Sequence, residues 1–267
     1  MRTLKYTNMK NISKGTLQML LVLLAVLLTS CESLHSKAIE AISSNNMAEL
    51  SSLLKNEDFD WQHSGTLENM MPHEYPLLEY ACKKGTAECV SFLLQNGARP
   101  NDADEEDKTP LCLLFATGED SYETVKVLLE NDILPAKKYS PLSRAKSIPM
   151  ADLLMQYGAS PLDSALQDFR DAPIVKVFSD DCFYHYVNLV GYKNLTKEQL
   201  DAILRHIFHQ DQKERLAFLF ECGLDVNYKL DDKTLYENAR KLVPFESINI
   251  PQALGCLELI EKRLKSE

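Results

Sequence analysis

Tyr75-Pro76-Leu77-Leu78-Glu79-Tyr80-Ala81-Cys82-Lys83-Lys84-Gly85, continued by Thr86-Ala87-Glu88-Cys89-Val90-Ser91-Phe92-Leu93-Leu94-Gln95-Asn96-Gly97-Ala98, is the stretch on which the fold turns. A proline in the first turn of a helix gives up only an N–H that would be unpaired there, so Pro76 predicts a helix start. Leu77, Tyr80 and Ala81 share one face of that helix. Gly85 is expected to take a positive φ and so end it. Cys89, Val90, Leu93 and Leu94 form the apolar stripe of a second helix, which Gly97 closes. One such helix pair cannot bury its apolar face alone and must lean on neighbours.

The neighbours are present. The next unit opens at Thr109-Pro110-Leu111, so Pro76 and Pro110 are 34 residues apart, and Pro141 follows 31 residues later. This pattern resembles ankyrin repeats, whose period is about 33 residues. The resemblance implies an all-α solenoid of stacked helix pairs joined by short extended fingers. The second unit, Thr109 to Leu134, carries Leu111, Leu113 and Leu114, then Val125, Val127, Leu128 and Leu129. Asn131-Asp132-Ile133 stands where Asn-Gly-Ala is expected. The third opens at Ser140-Pro141-Leu142 with a short first helix, Pro149 opens its second, and Tyr157-Gly158-Ala159 closes it. The family's histidine after Thr-Pro-Leu is missing: Leu78, Cys112 and Ser143 occupy that place, so its loop hydrogen bonds must be replaced.

Later units are more degenerate. Leu216-Ala217-Phe218-Leu219-Phe220-Glu221-Cys222-Gly223-Leu224 reads as the end of a repeat. Its first helix is placed at Lys197 to Phe208, with Thr196 as cap and Gln199 three residues on. Gly158 to Gly223 spans 65 residues, room for one further unit from Ser160 to Leu195. That unit carries Leu162, Ala165, Leu166, Ile174, Val175, Val177 and Phe178 as its apolar residues. Lys233 to Arg240 opens a last unit that ends in a helix from Ile250 to Leu264. At the other end Ala38, Ile39, Ala41 and Ile42, then Met47, Leu50, Leu53 and Leu54, form a first helix pair that turns at Asn45-Asn46. The repeat domain is therefore placed at 36–267.

Ahead of it, Arg2, Lys5, Lys10 and Lys14 flank the ten-residue apolar run Met19 to Leu28, and no acid precedes Glu32. A basic region, an apolar core and small residues at the cut form an export signal. The run is too short to span a bilayer comfortably, which takes about 20 residues. Leu28-Thr29-Ser30-Cys31 resembles a bacterial lipobox. The resemblance implies a signal peptide over 1–30, cleavage before Cys31, lipid on that cysteine and a tether over 31–35. Glu32 in place of Asp favours the inner leaflet of the outer membrane over inner-membrane retention, so the protein would hang in the periplasm. Met9 offers a more compact signal, and a start at Met47 would skip export and give a cytosolic form.

Net charge is -10, and the signal's loss moves it to about -14. Such a balance argues against nucleic acid and against docking on anionic lipid, and suits a basic protein partner or plain solubility. Besides Cys31 there are Cys82, Cys89, Cys112, Cys182, Cys222 and Cys256, with no C-x-x-C pair. An oxidising compartment permits disulfides, yet thiols at apolar helix positions also pack as small hydrophobes. Both outcomes stay open at this level.

No His-Glu-x-x-His, phosphate loop or Gly-x-Ser-x-Gly elbow occurs, and no cofactor or metal is expected. His206 and His209, three apart on a helix, read as outer-face histidines, and the chain reads as a non-enzyme. The fingers are the stronger candidates. Asp102, Asp104, Glu105, Glu106 and Asp107 form one acidic tip, and Asp231-Asp232 another. Exposed acids steer a basic partner and raise its on-rate. Trp61, Tyr139 and Tyr228 are candidate aromatic anchors for the same partner.

Lipid-anchored ankyrin proteins of this size resemble the immunity partners of phospholipase effectors delivered by type VI secretion. That resemblance implies a protein, monomeric when free, that binds a basic-surfaced secreted lipase and occludes it. The other reading is an envelope adaptor that uses the same surface for a resident partner.

Overall fold

The computed structural model describes residues 34–55, 76–100, 109–166, 169–242 and 254–266. Helices come in pairs: α1 (Leu34–Ser43) with α2 (Met47–Leu54), α3 (Leu77–Lys84) with α4 (Ala87–Gln95), and α5 (Leu111–Gly118) with α6 (Tyr122–Glu130). A 3-10 turn (Pro141–Arg144) pairs with α7 (Ile148–Gln156), then α8 (Pro173–Lys176) with α9 (Asp180–Val190), and α10 (Lys197–Gln210) with α11 (Lys213–Glu221). The hairpin β1 (Lys229–Leu230) and β2 (Lys233–Thr234) leads into α12 (Leu235–Leu242) and α13 (Leu254–Leu264). First members stack in one row, α1 on α3 on α5 on the 3-10 turn on α8 on α10 on α12. Second members form another row, in which α4 packs on α6, α7 on α9, α9 on α11, and α11 on α13. The core is the seam between the rows, running unbroken from Ala38 to Ile260. No helix among the described residues is long and apolar enough to cross a membrane.

Local chemistry sets most boundaries. Thr86 accepts a hydrogen bond from the Cys89 N–H at the start of α4, and Ser179 does the same for Cys182 at α9. Thr196 and Gln199 make a full capping box on α10, as their spacing predicts. Gly97 ends α4 at φ 89°, and Asp132 takes the same place after α6 at φ 61°. Asp is one of the few side chains that tolerates that region, which explains how Asn-Asp-Ile substitutes for Asn-Gly-Ala. Gly85 differs from expectation: its φ is -89°, within reach of any residue. Glycine is needed there for space, because a Cβ would lie 2.8 Å from the Ala81 carbonyl oxygen and 2.9 Å from Ile42 Cγ2 of the preceding unit.

Where the family histidine is missing from the second unit, Thr109 ahead of α5 is fully buried. Its hydroxyl donates to the Ala136 carbonyl and accepts from the Ala136 N–H, while its own N–H donates to Lys138. Successive fingers are thereby tied together. The six described cysteines are free thiols, five of them buried. Burial, followed by a hydrogen bond with Cys112 on the next first helix, pushes the Cys82 thiol well up.

The degenerate unit is held by buried polar ties. Its first helix, α8, has only four residues. Tyr186 on α9 is fully buried and donates its hydroxyl to the Leu142 carbonyl in the 3-10 turn of the preceding unit. Arg215 on α11, 1% exposed, donates to Asp180 at 2.6 Å and to the carbonyls of Val177 and Phe178 at 2.8 and 3.2 Å. Its guanidinium also sits 4.8 Å from the Phe183 ring centroid. Phe178, counted among this unit's apolar residues, is 82% exposed. The chain is extended between α8 and α9, so adjacent side chains point to opposite sides. Val177 goes into the core and Phe178 goes out.

Candidate functional site

A groove of about 690 Å³ crosses the ends of four successive first-row members. Leu114 and Gly118 of α5 form one end, then Tyr139, Ser143, Arg144 and Lys146 around the 3-10 turn. Lys176 ends α8, Val177 and Phe178 follow it, and His206, Gln210 and Gln212 of α10 and its link close the other end. The lining holds three permanent cations and no carboxylate, in a chain of net charge -10. Arg144, Lys146 and Lys176 are all exposed, and none pairs with a carboxylate among the described residues. The Arg144 guanidinium lies over Gly118, where a Cβ would stand 3.5 Å from its Nη1. A cleft lined by one sign of charge focuses field and concentrates the opposite sign.

His206 faces this groove rather than the outer side, because α10 is a first-row helix. Burial, then the charges of Lys176, Arg215 and His209, push its imidazole down to about 4 from 6.5. It is therefore neutral near pH 7. His209 is exposed. Among the described residues no group of His, Cys, Asp and Glu is arranged to hold a metal ion.

The residues singled out from sequence fall into three sets. Cys31, Trp61 and the acidic stretch Asp102, Asp104, Glu105, Glu106 and Asp107 lie outside the described residues. Tyr139 lines the groove and is 59% exposed, with Lys138 Nζ 5.9 Å from its ring. Tyr228, Asp231 and Asp232 lie on the late finger, apart from the groove. Tyr228 is half-buried, donates its hydroxyl to Asp201 at 2.7 Å and is covered by Lys197 at 5.3 Å. Asp231 and Asp232 are the two central residues of the β1–β2 turn, at φ 53° and 62°, the geometry of a tight primed hairpin turn. Arg205 grips Asp231 through two nitrogens at 2.7 and 3.2 Å, and that bond holds the carboxyl below its usual range. Much of the Asp231 charge is thus met within the chain, and Asp232 is exposed.

Arg144, Lys146, Lys176 and Phe178 were not singled out from sequence. They come from two units and are interrupted by buried neighbours such as Ala145 and Val177. Only the alternation of buried and exposed residues in an extended link could have marked Phe178.

A family model of ankyrin repeats, three copies, matches residues 37–140. That span covers α1 to α6 and the finger that reaches the groove. Residues 37–140 are ankyrin repeats. The same two rows continue beyond them, and the chain forms an all-α ankyrin solenoid. No curated protein matches the chain. Ankyrin repeats are generally non-catalytic modules that bind other proteins, so the array is a protein-interaction module. A stack of this kind presents side chains from several units to one partner.

Proposed function

We propose that this ankyrin protein is a lipid-anchored immunity protein on the periplasmic side of the bacterial outer membrane, where it binds and occludes a secreted phospholipase. The observation that carries the reading is a basic flank and an apolar run ending in Leu28-Thr29-Ser30-Cys31, read as an export signal, ahead of a protein-binding solenoid. Lipid on Cys31 would keep the array near the membrane a phospholipase attacks, and a tether raises local concentration without any new contact. Occlusion needs no reacting group: the array would cover the enzyme's entrance or the surface that meets lipid.

Two measurements test this. Cys31→Ala should move the protein from the membrane fraction to the soluble fraction with its helix content unchanged; continued tight attachment would overturn the anchor. The reading expects a secreted lipase encoded beside the gene, which the wild-type protein should inhibit at one-to-one stoichiometry. A neighbouring resident envelope enzyme that binds instead, with no lipase inhibited, would favour an adaptor.

A further inference from the structure

We propose that the groove receives an extended, acidic segment of the partner protein, its carboxylates set against Arg144, Lys146 and Lys176 and one of its apolar side chains packed on Phe178. The inference rests on the reading of the array as a protein-binding module and supplies the chemistry of what that groove takes.

Three observations carry it. Charge comes first: three cations and no carboxylate line a groove in a chain that is otherwise acidic. Carboxylates complement it, and such pairing fixes orientation and excludes wrong partners. The second is Phe178. An aromatic 82% exposed at the edge of a cationic groove offers a partner apolar area next to charge. Its backbone is not loose, since the buried Arg215 holds the carbonyls of Val177 and Phe178 from below. A rigidly presented aromatic among charges has the character of a binding anchor. The third is Gln212, whose Oε1 is buried against the groove with no hydrogen-bond partner among the described residues. Turned toward the groove by rotation of its side chain, it would accept a backbone N–H from an extended peptide. A lipid phosphodiester brings only acceptors. A membrane of anionic lipid is disfavoured for a further reason, since the protein as a whole has a net charge of -10.

The test uses the unlipidated Cys31→Ala chain and a fluorescently labelled peptide of alternating glutamate and leucine. Saturable binding is expected, weakening as salt rises. Lys176→Glu and Phe178→Ala should each weaken it about tenfold, the loss of one good anchor. Both residues are exposed, so both variants should keep the wild-type circular dichroism. Lys126→Glu, on the exposed side of α6, should leave binding unchanged. The proposal is overturned by no saturable binding at low salt, by equal losses from Lys126→Glu and Lys176→Glu, or by a preference for phosphatidylglycerol vesicles that Lys176→Glu abolishes. Lipase inhibition is read separately. Peptide binding without inhibition sinks the immunity reading and spares the groove; inhibition untouched by Lys176→Glu and Phe178→Ala does the reverse.

Discussion

At the scale of single residues, the groove depends on groups whose charge state the fold controls. His206 is the clearest. Its folded value of about 4 lies below the ordinary 6.5, so the fold favours the neutral ring. The stability this contributes is complete above pH 6.5 and is lost as pH falls from there toward 4, where the unfolded chain takes up a proton that the folded chain refuses. Urea midpoints should therefore drop between pH 6.5 and 4, and His206→Gln should make that drop shallower. An identical pH profile in the variant would show that His206 is not the titrating group. Arg215 acts differently. It is a buried cation whose partner Asp180 is half exposed, and its value lies in the two carbonyls it gathers as much as in the ion pair. Removing one member of such a set typically leaves polar groups unpaired, which costs more than the pair itself contributes.

At the scale of elements, short helices are held by what stops them. Tight contact between units matters as much as capping. At Gly85 the close approach of α1 and α3 leaves no room for a methyl group. Gly85→Ala should cost about 1–3 kcal/mol through overpacking, although its backbone is permissive. Gly158 is the contrasting case, at φ 97° with nothing within 4 Å of an added Cβ. There, alanine pays only for the left-handed backbone, roughly 1–2 kcal/mol. Chemical denaturation of the two variants separates the mechanisms: in a double-mutant cycle, Gly85→Ala and Ile42→Ala together should cost less than the sum of the two single variants, and no such partner exists for Gly158. A Gly85→Ala protein as stable as wild type would contradict the packing argument. Elements were legible where the pattern was local. Pro76, Pro110 and Pro141 mark where first-row members begin, Thr196 and Gln199 mark α10, and Pro149 falls in the first turn of α7. The reading failed at Gly85 because a sequence shows where a glycine sits but not what passes beside it.

At the scale of the whole molecule, each unit is covered by the next. α10 and α11 cover α8 and α9, and α11 also supplies the arginine that positions Phe178. A chain ended at Leu195 would expose the apolar residues Ile174, Phe183 and Val187, now 1% exposed or less. Burying side chains of that size is worth about 1.5–3 kcal/mol each. The truncated chain should bind a hydrophobic dye and leave size-exclusion columns as aggregate, whereas a monomer with unchanged helix content per residue would show that the late units fold independently. Such mutual cover is also what makes the groove, since Arg144, Lys146, Lys176 and His206 meet only when their units stack. By itself the sequence determined the repeat, its units and most helix starts, because helix periodicity, proline and caps act over a few residues. The tertiary structure alone decided which side chains share the groove, that Phe178 faces out, and that Asp231 is met by Arg205 from another unit's helix. Those facts depend on how rows lie against one another and on the direction of side chains in extended links, and neither is encoded in a local period.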